Sequence, residues 1–297
     1  GRARSSLEQP HNLDRQAMSA AVVRLKAHAK INLFLEILGR RADGFHDIET
    51  VFQTIGLHDE VSVEQSAASG ITLTCDDPTL PCDTTNLAWR AAATYQAAHP
   101  RIGGLHLSLT KRIPTGAGLG GGSADAAAVL VGCDRLAGSP LGLDRLEQLG
   151  ATLGSDISFL IRGGTAHATG RGEVLTRLPD APALSMTLLM PDGAHCATPA
   201  VYKSLTDVER GPRQALGSPW FAERMSDPAS WLANRLTGSA VRVCPAVGVL
   251  LDHLANLGVP HLMTGSGAAC FAFAAVSPLP GMRSWSTVLT PATSTGH

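Results

Sequence analysis

Pro114-Thr115-Gly116-Ala117-Gly118-Leu119-Gly120-Gly121-Gly122-Ser123-Ala124-Asp125-Ala126-Ala127-Ala128 is the stretch on which the reading of this 297-residue chain turns. Five glycines in seven residues let the backbone approach a ligand closely and adopt positive φ, so successive N–H groups can converge on one anion. From Ser123 to about Ala137 the spacing predicts a helix. The segment is alanine-rich, Val129, Leu130, Cys133 and Leu136 recur at helical spacing, and Gly138 supplies a stop. A glycine loop that opens a helix gathers free N–H donors and the positive end of the dipole in one place, which is the chemistry of a phosphate site. The alternative is a flexible linker or a tight turn, but linkers are seldom followed at once by a strong helix.

Two familiar phosphate loops fit poorly. A P-loop ends in Gly-Lys-Ser/Thr, and Gly122-Ser123-Ala124 has no lysine. Gly116, Gly118 and Gly121 do match G-x-G-x-x-G, but a dinucleotide site needs a buried parallel strand running into the first glycine. Here Leu105, Leu107 and Leu109 alternate with His106, Ser108 and Thr110 as a half-exposed strand, and Lys111-Arg112-Ile113 intervene before Pro114. The pattern Pro-x-Gly-x-Gly-Leu-Gly-Gly-Gly-Ser-x-x-Ala-Ala instead resembles the ATP loop of the GHMP kinase superfamily. That resemblance implies ATP contacts along Pro114 to Ala124.

Composition bounds the alternatives. A hydrophobic share of 44% is ample for a core, and 24 Lys+Arg against 25 Asp+Glu give no broad basic field. With only 4% aromatic residues, nothing points to nucleic acid. Cys75, Cys82, Cys133, Cys196, Cys244 and Cys270 are scattered without a C-x-x-C pair, so they read as reduced thiols of a cytosolic protein and not as zinc ligands or a disulfide framework. No run approaches the eighteen or so apolar residues of a membrane span.

Residues 1–17 are polar and unpatterned, and Met18 reads as the natural start after a leader or disordered extension. From Val22 to Leu38 the chain alternates, with Ile31, Leu33, Leu35 and Ile37 on one face and Lys30, Asn32, Phe34 and Glu36 on the other. Asp43-Gly44 turns the chain, Ile48 to Ile55 reads as the returning strand, and Val61–Glu64 and Ile71–Thr74 read as further short strands. Periodicity leaves Lys30 as either a solvated strand residue or a cation facing a cleft. Ala29-Lys30-Ile31-Asn32-Leu33-Phe34-Leu35 followed by Gly39-Arg40-Arg41-Ala42-Asp43-Gly44-Phe45-His46 resembles the opening signature of the 4-diphosphocytidyl-2-C-methyl-D-erythritol kinase family. The resemblance implies that Lys30 is catalytic, that Asn32 lies beside it, and that Phe45 and His46 hold a cytosine.

Thr84 or Thr85 is expected to cap a helix through Leu87, Ala91 and Tyr95, with Asn86 either a second cap or, by resemblance, near the adenine. Lys111 reads as either a nucleotide contact or a solvated strand end. Asp156, between a turn and an apolar run, is either a turn residue or a carboxylate able to take a proton from an alcohol. Leu153-Gly154-Ser155-Asp156-Ile157-Ser158-Phe159 resembles the family segment whose aspartate is the catalytic base. Arg162 to Gly172 reads as a turn, with a domain change near Leu178 to Ala183 and a strand from Leu184 to Met190. Thr198-Pro199 reads as a cap and first residue of a helix, and the resemblance places Thr198 and Tyr202 against the cytidyl substrate. Asn234-Arg235-Leu236-Thr237 departs from the family's Asn-Asp-Leu-Glu and carries no role. Thr264-Gly265-Ser266-Gly267 is a second glycine turn, similar to the superfamily motif that packs on the phosphate loop. Beyond Ala275 the pattern fails, and neither the expected helix nor a closing strand is evident.

The resemblance implies an α+β, two-lobed GHMP kinase fold. It comprises an N-terminal ATP-binding domain of the ribosomal protein S5 domain 2 type over 22–180 and a ferredoxin-like C-terminal domain over 181–297. It further implies ATP with Mg²⁺ as co-substrate, a cytidyl diphosphate alcohol as acceptor, no nucleic acid or membrane partner, and a monomer or weak homodimer in the bacterial cytosol or plastid stroma. Phosphorylation of the 2-hydroxyl of that alcohol, in the non-mevalonate isoprenoid pathway, is the expected activity. Another GHMP kinase acting on homoserine or mevalonate, or a nucleotide-binding protein without catalysis, are the alternatives.

Overall fold

The computed structural model describes residues 21–292, so the expected leader and Met18 lie outside the described residues. β1 (Val22–Arg40) and β2 (His46–Ser66) form a long antiparallel hairpin. The two strands expected at Ile48–Ile55 and Val61–Glu64 are one strand of 21 residues. The polar Gly56-Leu57-His58-Asp59-Glu60 between them looks like a break in sequence, yet it keeps the ladder, with Asp59 opposite Ala27 and His58 opposite His28.

β3 (Ile71–Cys75), α1 (Leu87–Ala98), β4 (Gly104–Thr110), α2 (Gly121–Leu136), α3 (Gly142–Ala151), α4 (Ser155–Arg162), β5 (Thr165–Thr169) and β6 (Val174–Arg177) follow. The sheet runs β3-β4-β2-β1, and one edge of β2 carries two partners, β4 at Glu60–Ser66 and β5 at Thr50–Gln53. Asn86, not Thr84 or Thr85, caps α1 by accepting from the Ala88 amide, because Thr85 is turned back onto Asp83. Residues 162–172 are not simply a turn. They contain β5, whose Thr-Ala-His-Ala-Thr lacks an apolar stripe but is buried with Phe52 and Phe159 around Ala166 and Ala168. The alanine-rich α2 lies on β1 and β2 and is buried over most of its surface.

β7 (Ser185–Pro191), α5 (Thr198–Lys203), α6 (Ser218–Ala222), β8 (Ala233–Asn234), α7 (Thr237–Val243), α8 (Pro245–Asn256), β9 (His261–Met263), β10 (Cys270–Ala272) and β11 (Met282–Val288) complete the described chain. The second sheet is antiparallel in the order β11-β7-β10-β9, a ferredoxin-like arrangement with α7 and α8 in the first crossover and no helix in residues 273–281 of the second. A closing strand is therefore present, correcting the reading of the tail. β11 is a polar edge strand, Met-Arg-Ser-Trp-Ser-Thr-Val, and its prolines at 278, 280 and 291 flank it instead of interrupting it. The chain then returns to the first sheet, where the Thr290 amide donates to Thr54 O at 3.0 Å. β8 pairs in parallel with β1, and one hydrophobic cluster runs from Ala27 to Leu289 through both halves. No helix among the described residues is long and apolar enough to cross a membrane.

Candidate active site

Lys30 lies between two register shifts of the β1–β2 ladder, at His28/Lys30 and Asn32/Phe34, and such bulges re-aim side chains. The lysine is not solvated. It is 5% exposed, and a lone buried ammonium would be costly. Its Nζ donates to Asn32 Oδ1 at 2.9 Å, stands 3.6 Å from Asp156 Oδ2, and lies 5.4 Å from the centre of the Phe52 ring. Asn32 is itself fixed: its Nδ2 donates to Thr50 Oγ1 at 2.8 Å, and its amide donates to Thr264 Oγ1 at 3.0 Å. Asp156 occupies the first turn of α4, where the sequence pattern shows only a turn and an apolar run.

The glycine loop rests on this pair. The Lys30 amide donates to Leu119 O at 3.0 Å, and a Cβ on Gly120 would meet Lys30 Cγ at 3.2 Å and Asp156 Oδ2 at 3.6 Å. Gly120 is the N-terminal cap of α2, in the left-handed region at φ 72°. The second glycine turn does pack on the loop, with the Ala269 amide donating to Ala117 O at 3.1 Å. Residues Pro114 to Ser123, with Asn86, Lys111 and Asp125, line a cavity of about 420 Å³. Ala117 and Leu119 send their side chains into the core, so only their backbone faces it. Ala124 does not belong to it. Its amide is taken by Gly120 O at 2.8 Å, and it lines a different cavity beside β1.

Lys111 is not a solvated strand end. Its ammonium is clamped by Asp59 Oδ2 and Asp125 Oδ2, both buried, and it borders the loop cavity from there. Burial works against the charged lysine, but Asp125 and Asp59 outweigh it and hold its pKa above the usual range. Burial also pushes the Asp125 carboxyl up, to about 7, with Lys111 opposing and Asp59 adding to the rise. Neither aspartate was singled out from sequence. Asp125 lies inside the quoted stretch, and its position one helical turn after Gly121 was the available signal.

A second cavity, about 400 Å³, is lined by Lys30, Asn32, Asp156, Thr198, Tyr202 and Ser266, and shares Gly118, Gly120 and Ser123 with the loop cavity. Thr198 is the first residue of α5 and not its cap, which is Ala197; the Thr198 hydroxyl instead lies 2.8 Å from Ser266 Oγ. Ser266 and Thr264 were not predicted as site residues. Asn234, to which no role was given, holds their turn through donation to Met263 O and Gly265 O at 2.7 and 2.8 Å.

The third cavity, about 760 Å³, shares Ile48, Ser155, Arg171, Thr198 and Tyr202 with the second. Phe45, 55% exposed, His46 and Tyr202 line it, and the His46 and Tyr202 rings stand 5.4 Å apart at 37°. His46 Nε2 is buried without a hydrogen-bond partner, an open position for a ligand atom. Burial, then Arg210 and Arg40, lower its pKa, so the imidazole is neutral near pH 7. Burial and the charge of Asp156 push the Tyr202 phenol up to about 12. Arg40, Arg171, Lys203 and Arg210 line this cavity and no carboxylate does. None of the four was among the expected site residues: Arg40 ends β1, Lys203 ends α5, and Arg171 and Arg210 lie in turns, so no shared periodic signal joins them.

Among known proteins, the GHMP kinases N terminal domain family matches residues 86–164. A protein of Synechocystis sp. named 4-diphosphocytidyl-2-C-methyl-D-erythritol kinase is 51% identical over 209 residues, covering 69% of this chain and 64% of that protein. One of the same name from Geobacter metallireducens is 39% identical over 248 residues, 83% of this chain and 87% of that one. A solved structure, titled crystal structure of 4-(cytidine 5'-diphospho)-2C-methyl-D-erythritol kinase, superposes with a TM-score of 0.74 at 33% identity, over 90% of this chain and 99% of that one.

Proposed function

This chain belongs to the 4-diphosphocytidyl-2-C-methyl-D-erythritol kinase family and is a small-molecule kinase, and we propose from that footing that it transfers the γ-phosphoryl of ATP to the 2-hydroxyl of 4-diphosphocytidyl-2-C-methyl-D-erythritol in isoprenoid precursor synthesis. The observation that carries this reading is the succession of three cavities with shared walls. The Lys30–Asp156 pair stands between a glycine loop and an aromatic cavity lined by cations. Such a path suits a triphosphate at one end, a hydroxyl in the middle, and a cytosine with its diphosphate at the other.

In this reading the loop N–H groups and the start of α2 hold the phosphates, with Asn86 and Lys111 toward the base end of the nucleotide. Asp156 accepts the hydroxyl proton as the oxygen attacks Pγ, the bond from Pγ to the ADP oxygen breaks, and ADP leaves. Lys30 orients the hydroxyl and offsets the developing charge, because phosphoryl transfer depends mainly on positioning and electrostatics. Asn32 and Thr198 flank the alcohol, and Phe45, His46 and Tyr202 hold the cytosine by stacking and by the open His46 Nε2.

No group of three or more His, Cys, Asp or Glu among the described residues is placed to hold a metal ion. Mg²⁺ keeps most of its waters and is carried mostly by substrate phosphates, so it needs few protein ligands. Ser123 lines the wall common to the loop and inner cavities, and its hydroxyl would be the protein oxygen that holds the ion. Mg²⁺ bound there would supply charge neutralisation at the triphosphate. We take the two lobes as 22–180 and 181–297 and the working form as a monomer or weak homodimer in the cytosol or stroma.

ADP release with Mg-ATP tests the reading. Turnover with the cytidyl alcohol and none with homoserine, mevalonate or galactose is the expected result. ATP binding without turnover of any of the four would leave a nucleotide-binding protein in its place.

A further inference from the structure

We propose that Arg171 is the residue that makes this site selective for an acceptor whose base and alcohol are joined by a diphosphate. The inference rests on the reading of the site given above and adds to it the group that recognises the linker. Arg171 is the one cation, among the described residues, on the wall common to the outer and inner cavities. Arg40, Lys203 and Arg210 line only the outer one, and Lys30 only the inner. A molecule with its base against Phe45, His46 and Tyr202 and its hydroxyl at Lys30 and Asp156 must pass this wall. What passes it is whatever joins base to alcohol.

The guanidinium is free for that task. It lies over the Phe45 ring at 5.0 Å and has no carboxylate within ion-pair distance among the described residues. Arg210, by contrast, is paired with Asp207 at 3.0 Å and bonded to Lys203 O. Asp43 acts on Arg171 only through longer-range attraction, since its carboxylate is occupied by Arg41 at 3.1 Å and by the Phe45 amide at 3.1 Å. The backbone of the Arg171 turn is well fixed: the Ile48 amide donates to Gly170 O at 2.8 Å, and the Arg171 amide donates to Glu173 Oε2 at 2.6 Å. A planar, permanently charged fork on an anchored turn suits the bidentate recognition of phosphate oxygens. Its perch on Phe45 places it beside the cytosine face, so one side chain can stack with the base end and bond the linker.

The test separates linker recognition from the rest of the site by comparing two competitive inhibitors, cytidine and CDP, against wild type, Arg171→Ala and Arg171→Lys. In wild type CDP should bind more tightly than cytidine. Arg171→Ala should weaken CDP about 10–100-fold, leave cytidine within about 3-fold, and raise KM for the cytidyl alcohol in parallel while KM for ATP stays put. Arg171→Lys should restore part of the CDP affinity, because it returns the charge without the fork. Arg171 is exposed, so the variants should melt with wild type. An unchanged CDP-to-cytidine ratio in Arg171→Ala, with wild-type turnover intact, overturns the role of Arg171 alone. A wild type that binds neither CDP nor cytidine overturns the cytidyl reading of the cavity, and this inference with it.

Discussion

Gly118→Ala isolates the contact on which the loop geometry depends. Gly118 has φ 77°, and a Cβ there would lie 2.4 Å from Thr264 O, 3.1 Å from Gly267 O and 3.3 Å from Gly267 N. All three are backbone atoms, so no side chain can swing away. The left-handed conformation alone costs an alanine about 1 kcal/mol. The loop must also withdraw by more than half an ångström, at an overpacking cost of about 1–3 kcal/mol, and weaken the bond from the Ala269 amide to Ala117 O, worth about 1 kcal/mol. The total, about 3–5 kcal/mol, corresponds to a fall in Tm of about 6–10 °C at roughly 2 °C per kcal/mol for a chain of this size. The same retreat drags Leu119 O from the Lys30 amide, and a misplacement near 1 Å costs on the order of 100-fold in rate, so kcat/KM for ATP should drop about 10–100-fold. Gly138→Ala is the matched control, with φ 85° and nothing within 4 Å of its Cβ position. It should lose about 1 kcal/mol and about 2 °C by differential scanning calorimetry, with unchanged kinetics. If Gly118→Ala melts and turns over like Gly138→Ala, the close approach of loop and turn is not what sets the site.

Asp156→Asn should lower kcat by about 10²–10⁴-fold in steady-state assays while ATP affinity, followed by calorimetric titration, changes little; normal turnover would remove Asp156 from the mechanism. Lys111→Met leaves Asp59 and Asp125 buried without their cation, and should cost about 3–5 kcal/mol of stability at pH 8 by urea unfolding, with much of it recovered at pH 5. Because burial raises the Asp125 carboxyl to about 7, folding takes up a proton there. Its stabilising contribution is complete below the ordinary carboxylate range and is lost as pH rises through about 7, so Asp125→Asn should flatten that part of the Tm–pH curve. With the His46 pKa lowered from the ordinary imidazole value by burial, then Arg210 and Arg40, KM for the cytidyl alcohol should be level from pH 8 to 7 and rise only in acid solution; a rise already between pH 7 and 8 would exclude His46 as its source.

The glycine loop, the Lys30 face of β1 and the helix after Ser123 were legible because each is local. Alternation over β1 shows that Lys30 and Asn32 share a face, and the structure joins them at 2.9 Å. Periodicity is blind to residues that matter through distant partners. Asp59 looked like part of a break in β2, yet it accepts from the Ile113 amide at 2.8 Å and holds Lys111, 52 positions away. β5 was unreadable for a related reason: a strand of small and polar residues can be fully buried when its neighbours supply the apolar surface, here Phe52 and Phe159.

The same logic explains why the second half of the chain looked poorest in chemistry and is nonetheless part of the site. Thr264 takes the Asn32 amide, Ser266 meets Thr198, and Asn234 ties their turn to β8, which itself pairs with β1. None of these residues carries a charge, and their motifs in sequence do not show which residues of the first half they meet. Their effect is to hold a loop and a strand from the first half at fixed separation, so that a Cβ at Gly120 would meet both Lys30 and Asp156. A site whose charged groups lie on one sheet but whose spacing is set from the other fails by misalignment before it fails by loss of fold. Asn234→Ala should therefore lower kcat more than it lowers Tm, since it removes two donors from a turn that bears on the loop and leaves both sheets paired.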